Sequence, residues 1–454
     1  MSHHGRFSFR TSEQLLETAR HLGIELPFQE DLSPLFQRIS LGPGRIVNRL
    51  AVNPMEGCDG DPDGSPGNLT FRRYLRFARG GCGLVWFEAT SVTSEGRSNP
   101  RQLWIHTKSL ESFKRLVQET KRSAIQEFGP EHDVFCVLQL THSGRYSKPE
   151  GRSEPQVALF NPFLDKHKEG LHIFSDEELD RLQEKYVDAA RLAYQAGFDA
   201  VDVKACHGYL VSELLAAYER KDSRYGISFD NRARFLEEVI QKIRIEIPEV
   251  VLAVRLNAYD GLPYPYGFGV AKNEPSTVDF AEPEELVSRL AEAGCKLFNI
   301  TAGIPSFVPH LGRPFDRPMK GSPLPPEHPL EGVSRLLSLT AGLQKKFSAV
   351  PMVGTGFSWL RQFFPFVGAA MLERKDTSFI GLGRMMFAYP DAPKDLTEKG
   401  ALDPKKVCTA CSRCSEMMRE GEVSGCSVRD KEIYGLPYKQ IRKQLRKKGY
   451  PRVT

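Results

Sequence analysis

Four cysteines toward the C-terminal end are the residues of this chain most suited to metal chemistry. Cys408, Cys411, Cys414 and Cys426 stand in the run VCTACSRCSEMMREGEVSGC, with two, two and eleven residues between successive thiols. A compact triplet followed by one distant thiol suits iron–sulfur ligation better than disulfide pairing. Structural zinc also uses C-x2-C steps but usually as two separated pairs, so the spacing favours a [4Fe–4S] cluster and leaves zinc as the alternative. The other five cysteines, Cys58, Cys82, Cys136, Cys206 and Cys295, are scattered and are expected to pack as small apolar residues. An odd total of nine fits a reducing compartment better than a disulfide framework.

A second set of reactive residues lies in short motifs: LQLTHSGRYSKPE, KACHGYLVSELL, VRL, VGTG and GLGR. Gln139 carries an amide that donates and accepts at once, Arg255 a fixed cation, and Tyr209 a phenol that stays protonated at neutral pH. Gly354, Gly356 and Gly383 permit close backbone approach to a ligand, and Arg384 can grip an anion with two parallel hydrogen bonds. Taken singly, each has an ordinary meaning: a strand-end turn, a buried amide, a packed tyrosine. Their shared feature is position, because each follows an apolar, strand-like run.

Those runs are IVNRLAVNPM, GLVWFEA, DVFCVLQL, AVDVKA, VVLAVRL, LFNITAG, VPMVGTG and SFIGLGR, eight in all. Amphipathic helical stretches separate them, among them SDEELDRLQEKYVDAARLAYQAG, where Ser175 and Glu178 form a capping box and Gly197 a stop. Alternation of this kind marks an α/β protein with a parallel sheet, and eight strands favour a (β/α)8 TIM barrel over an open doubly wound sheet. In a barrel the chemistry gathers at the strand C-termini, where the motifs fall. The predicted organisation is an N-terminal helical extension or barrel plug over residues 1–33, a barrel over 34–400, and a cysteine segment with a basic tail over 401–454. Two stretches rich in Pro, Gly and aromatics, Gly261–Pro275 and the segment 304–329, are expected to be long loops at the active face.

From about Phe36 to about Arg429 the chain resembles the old yellow enzyme family of FMN-dependent oxidoreductases. More closely it resembles the branch containing bacterial 2,4-dienoyl-CoA reductase and trimethylamine dehydrogenase, where a barrel precedes a four-cysteine [4Fe–4S] site. The resemblance implies FMN along Pro54 and Met55, its pyrimidine edge near Ala89 and Gln139, Arg255 at flavin N1/O2, and the phosphate at Gly354, Gly356, Gly383 and Arg384. It implies that His207, with Lys204 where the family usually has His, grips a substrate carbonyl, and that Tyr209 supplies a proton while flavin N5 supplies hydride; as a departure from the pattern, Lys204 has a second expected role, binding a carboxylate or phosphate of the substrate. Glu56 stands where the family often has a small residue near flavin O4, and is expected to tune the flavin, meet a cationic substrate, or pair with Lys204 or an arginine. Cys58 is out of register for a covalent flavin link, so FMN is expected to be non-covalent. The implied activity is reduction of a C=C bond conjugated to a carbonyl; the alternatives are an oxidative amine-type dehydrogenase passing electrons out through the cluster, or an electron-transfer subunit. The longer relatives continue into FAD and NAD(P)H domains, so electrons are expected from NAD(P)H directly or from a separate ferredoxin, flavodoxin or flavin reductase.

Composition agrees with a soluble catalyst. The chain has 454 residues, 40% hydrophobic and 26% charged, without an apolar run of eighteen residues or a signal-peptide core near its start. A cytoplasmic enzyme is expected, with a homo-oligomer possible and neither nucleic acid nor membrane as partner. Seven basic residues, Lys439, Arg442, Lys443, Arg446, Lys447, Lys448 and Arg452, crowd the tail; subtracting them from the net +5 leaves −2 for the remainder. The tail is expected to be a solvated helix face with Ile441 and Leu445 turned against the body, or a landing surface for an acidic redox protein.

Overall fold

Eight parallel strands close into a barrel in the computed structural model, which describes residues 4–166 and 170–447. They are β1 (Leu50–Val52), β2 (Leu84–Ser91), β3 (Phe135–Thr141), β4 (Ala200–Val203), β5 (Val251–Tyr259), β6 (Cys295–Ala302), β7 (Met352–Gly354) and β8 (Phe379–Leu382). Each pairs with its sequence neighbour, and β8 returns to β1 through Ile380 opposite Leu50. All eight overlap the strand-like runs of the sequence; β2, β3 and β5 run on past the C-terminal ends of theirs, and β6 starts two residues before its own. β2 and β5 are buried at every position, which is why they read as continuous apolar runs and not as alternating ones.

Side chains alternate across the sheet, and the alternation divides the barrel interior into two levels. Ala51, Leu84, Trp86, Phe135, Val137, Ala200, Val251, Ala253, Leu297, Val353 and Phe379 form one apolar cluster with Leu41 and Ile46. Two residues further along their strands stand Asn53, Gln139, Asp202, Arg255, Asn299 and Thr355, all buried and polar. The interior thus turns from apolar to polar toward the strand C-termini. β2 breaks the pattern: its register shifts between Phe87 and Thr90, and Glu88 turns to meet Arg73 on the helix Asn68–Arg79.

Leu41 and Ile46 belong to an antiparallel hairpin, Ile39–Leu41 with Gly44–Ile46, that closes the apolar end. Gly44 is required there, since a Cβ would lie 2.7 Å from the Phe135 ring. The plug is therefore this hairpin, and of the two expectations for the N-terminal stretch the helical extension is the one seen: residues 4–33 carry the helix Ser12–His21 and lie outside the barrel, where Phe7 meets Trp359 edge-on at 5.4 Å and Phe28 stacks on Phe366 at 5.1 Å. The expected capping box at Ser175 is present at the start of Asp176–Gln195.

The two long loops carry little regular structure: a small ladder joins Val270–Ala271 to Glu274–Val278, and one turn spans Pro309–Gly312. After the barrel come helices Arg413–Arg419 and Lys431–Lys447. Ile441 and Leu445 are buried as expected, but their partners are Met417, Tyr434 and Tyr438 of the C-terminal segment and not the barrel. Lys448 and Arg452 lie outside the described residues. Among the described residues no helix is long and apolar enough to cross a membrane.

Candidate active site

Asp202 organises the polar level of the barrel. Its carboxylate accepts from Trp86 Nε1 at 2.8 Å, from Gln139 Nε2 at 2.6 Å and from the Arg255 backbone N–H at 2.6 Å. Burial raises its pKa to about 6, against the pull of those donors. The result joins β2, β3, β4 and β5 through one side chain and holds Gln139 in place. Arg255 is 8% exposed; its Nη1 donates to the Pro54 carbonyl at 3.4 Å, while its Nε lies buried without a partner. Desolvation lowers its pKa, the mark of a cation held against burial. Pro54 and Arg255, distant in sequence, thus meet across the barrel mouth.

β4 ends at Val203, and the chain turns sharply through the KACHGYL motif, with His207 (φ 65°) and Gly208 (φ 72°) both left-handed. A non-glycine residue pays for that conformation, so its presence at a strand end signals a held geometry. Leu210 N donates to the His142 carbonyl at 3.3 Å, tying the turn to the end of β3. Lys204 is buried at 5% exposure, with its Nζ 3.2 Å from the centroid of the Tyr209 ring. His207 Nε2 lies 3.4 Å from Thr301 Oγ1, and burial with Arg255 and Lys204 nearby drives its pKa well below the usual imidazole value, so the ring is neutral. Burial, aided by Glu56, holds the Tyr209 phenol well above its ordinary pKa. Tyr209 also faces Tyr146 at 5.5 Å, whose hydroxyl shares a hydrogen bond with Ser306 at 2.6 Å.

Among the described residues Glu56 makes no ion pair, although Lys204 stands close enough to favour its charged form. Its carboxyl accepts from Ser98 Oγ at 3.0 Å and Gln102 Nε2 at 2.8 Å, and burial raises its pKa. Gln102 also donates to the Ala89 carbonyl at 3.0 Å, so Glu56 and Ala89 are held by one amide. Cys58 is fully buried with its thiol pKa raised by burial.

Gly354 on β7 pairs with Ile380 on β8, which sets VGTG beside GLGR at adjacent strand ends. Met55 lies against Gly383, with its Sδ 3.5 Å from where a Cβ would stand. Arg384 Nη2 donates to the Pro314 carbonyl at 2.5 Å while Nη1 is buried without a partner. Orphaned nitrogens on Arg255 and Arg384, with glycine-lined backbone at the second position, suit a ligand with an anionic tail and a polar ring edge. FMN has that form, and the residues present fit it.

The cysteine segment sits beside Arg384. Cys408 is buried and Cys411, Cys414 and Cys426 are partly exposed. Burial pushes Cys408 up to about 12 and Cys426 up to about 11 and raises Cys414, and neighbouring thiols add to the rise at all three. Backbone N–H groups point at two of the sulfurs, Ala410 to Cys408 at 3.4 Å and Arg429 to Cys426 at 3.3 Å. Among the described residues no three His, Cys, Asp or Glu side chains stand close enough to share one metal ion.

The sequence motifs pointed to most of the mouth but passed over Asp202, Ser98, Gln102, Tyr146, Thr301 and Ser306. Asp202 alone carried a visible signal, being an acid inside the apolar run AVDVKA.

Known proteins align with this geometry. The profile of the NADH:flavin oxidoreductase / NADH oxidase family matches residues 34–268. An NADPH dehydrogenase of Clostridium acetobutylicum is 31% identical over 243 residues, covering 53% of this chain and 68% of its own. Two solved structures share the fold: 2-naphthoyl-CoA reductase in complex with 2-naphthoyl-CoA, at a TM-score of 0.72 and 21% identity over 90% of this chain, and the old yellow enzyme homologue of Zymomonas mobilis, at 0.60 and 20% over 83%. This chain spans 58% of the naphthoyl-CoA reductase and 96% of the Zymomonas protein.

Proposed function

The chain belongs to the NADH:flavin oxidoreductase / NADH oxidase family and is a flavin-dependent oxidoreductase, and within that family we propose that it reduces a C=C bond conjugated to a carbonyl. One juxtaposition carries this reading: a cation, a neutral imidazole and a protonated phenol, Lys204, His207 and Tyr209, converge above the polar level that holds Arg255 and Gln139. Bound FMN supplies a hydride equivalent to the β-carbon of such a substrate. Arg255 and Gln139 would hold the ring edge, and Gly354, Gly356, Gly383 and Arg384 the phosphate.

His207 donates a hydrogen bond to the carbonyl oxygen without changing its own charge, and Lys204 adds a full positive charge beside it. Both are worth most where charge develops on that oxygen. Tyr209 delivers a proton to the α-carbon. Its raised pKa keeps it protonated until the carbon becomes basic enough to take the proton.

For the C-terminal segment we infer a [4Fe–4S] cluster on Cys408, Cys411, Cys414 and Cys426, which would pass single electrons. The spacing of the thiols and the N–H groups aimed at Cys408 and Cys426 support it, since hydrogen bonds to sulfur tune such centres. Electrons would come from NAD(P)H or a small acidic redox protein drawn to the basic last helix, where Lys439, Arg442, Lys443 and Lys447 stand.

The test is anaerobic. Protein with photoreduced flavin is mixed with enones, enoyl thioesters and amines, and reoxidation by the first two supports the reading. Reduction of the oxidised flavin by amines would replace it with the oxidative alternative. Tyr209→Phe should keep flavin and ligand binding while slowing reoxidation by enones about 10²–10⁴-fold, the reach of general acid catalysis.

A further inference from the structure

Asp202 is a fully buried acid that takes three hydrogen bonds from groups of unequal freedom. Its Oδ2 receives Trp86 Nε1 at 2.8 Å and Gln139 Nε2 at 2.6 Å, and its Oδ1 receives the Arg255 backbone N–H at 2.6 Å. An ionised carboxylate can only accept, so it selects which end of the Gln139 amide faces it: the NH2 group turns to Asp202, leaving the carbonyl Oε1 and the second N–H for a ligand. Protonation reverses the demand, because the new O–H must find an acceptor. The indole N–H of Trp86 and the peptide N–H of Arg255 can only donate, and Gln139 alone can turn its amide round to offer Oε1. The charged and titratable groups around Asp202 are Arg255 on β5, Lys204 and Cys206 past the end of β4, Cys295 on β6, and Tyr186 on the helix Asp176–Gln195. The two cations favour the carboxylate and burial opposes it; burial wins, and the proton is exchanged at about pH 6.

Resting on the reading above that Gln139 meets the flavin ring edge, we propose that Asp202 is a positioning residue for flavin recognition: its ionised form holds the Gln139 amide the right way round, and its protonation turns the amide and loosens the ring. The pyrimidine edge of a flavin presents an N–H between two carbonyls. With Asp202 ionised, Oε1 is free to take that N–H and the second amide hydrogen to reach a neighbouring carbonyl. With Asp202 protonated, an NH2 group faces the ring N–H, and a buried donor left without an acceptor is costly. The switch moves one proton and no electrons: Asp202 gains the proton from solvent in acid and returns it when flavin binds. Flavin affinity is thereby tied to pH through a side chain that acts only by way of another.

The test dilutes the full chain, loaded with FMN or with riboflavin, at a series of pH values from 7.5 to 5 and reads the fluorescence that free flavin regains. Riboflavin keeps the ring edge and lacks the phosphate, whose own titration falls in the same range. The dissociation constant of either flavin should rise about tenfold across the series, as a group that exchanges its proton at about 6 and must be ionised requires. Asp202→Asn keeps a carbonyl for the Arg255 N–H and turns an NH2 group to Gln139 at every pH. It should bind flavin about tenfold more weakly than the wild type at pH 7.5, and the gap should largely close by pH 5. Trp86→Phe removes one donor from the carboxylate without reaching the ring edge, so the midpoint of the affinity loss should move up by about one pH unit. Should Asp202→Asn fail to fold, Trp86→Phe carries the test, since a variant that merely weakens the barrel moves no midpoint. A wild-type affinity that stays flat, a gap to Asp202→Asn that does not change with pH, or an unmoved midpoint in Trp86→Phe overturns the proposal and leaves flavin binding standing. A chain that holds neither flavin at any pH sinks the ring-edge reading together with it.

Discussion

The barrel mouth and the cysteine segment both present polar side chains for chemistry, but they hold them by different means. At the mouth each group stands on a strand whose neighbours fix it: Asp202 alone ties down Trp86, Gln139 and Arg255, and an apolar level closed by Leu41 and Ile46 lies beneath. Among the described residues the cysteine segment's own cluster has five buried members, Met417, Tyr434, Tyr438, Ile441 and Leu445, while Leu402, Val407, Cys408 and Ala410 join the main core, and hydrogen bonds clasp the segment to the barrel side. Ser424 N donates to the Gly57 carbonyl at 2.6 Å, Asp316 N to the Ala410 carbonyl at 3.1 Å, and Ser412 Oγ to the Arg317 carbonyl at 2.7 Å. Its chain also turns through two left-handed residues, Ala410 (φ 49°) and Ser412 (φ 59°), a conformation that surrounding contacts must enforce. Substrate chemistry needs groups fixed in advance, and rigid strands supply that. A ligand loop for a metal centre completes its order when the metal binds.

The largest expected effect separates the two regions outright. Cys411→Ser should reduce iron from about four atoms per chain, the content of one cubane, to near zero while flavin stays stoichiometric. Elemental analysis of anaerobically prepared protein, beside the flavin absorbance, reads both. Zinc without iron in the wild type would overturn the cluster, and loss of flavin together with iron would show that the clasp is essential to the mouth.

The same contrast explains what was legible in the sequence. The eight strands were visible because a parallel barrel buries both faces and leaves continuous apolar runs such as DVFCVLQL. Lys204, His207 and Tyr209 were visible because one strand end carries all three. The hairpin that plugs the barrel gave no signal because Ile39–Leu41 and Gly44–Ile46 are too short to show a period. Glu56 gave no sign of its hydrogen-bond partners, because Ser98 and Gln102 lie on a loop more than forty residues away and no local pattern announces that contact. The network of Arg73 with Asp59 and Glu88 escaped for the same reason, since it depends on the β2 register shift.

A smaller effect belongs to the mouth and appears with pH. His142, at the end of β3, is buried with Nε2 unpartnered, and desolvation lowers its pKa from 6.5 to about 4. Its folded value lies below its unfolded one, so between about 6.5 and about 4 the unfolded chain holds the extra proton and stability falls as pH falls. The full shift corresponds to about 3 kcal/mol. Asp202 works in the opposite sense: its folded pKa is raised to about 6, so its contribution is complete below 3.8 and is lost as pH rises through about 6. The difference between wild type and His142→Asn removes the Asp202 contribution, which both proteins share. Denaturant melts at pH 7 and pH 4.5 should show the variant losing less stability than the wild type. Equal losses would mean that His142 is protonated in the folded protein.

The smallest expected effect tests the clasp. Asp430 accepts from Arg72 Nη1 at 2.7 Å and Nη2 at 3.0 Å and from Arg76 Nη1 at 2.6 Å, pinning the start of the last helix to the helix after β1. Both arginines are about one-third exposed, at 33% and 36%, so solvent screens the attraction and the network is worth on the order of 1 kcal/mol. Asp430→Asn keeps the size of the side chain and removes its charge. Global melting should shift by no more than a few degrees, because the barrel's strands and apolar plug set it. The segment should loosen selectively, seen as faster hydrogen exchange over residues 401–447 with no change in β1–β8. High salt should bring the wild type part of the way to the variant. Uniform acceleration across the barrel would mean that the segment is part of one cooperative unit, and the contrast between the two regions would not hold.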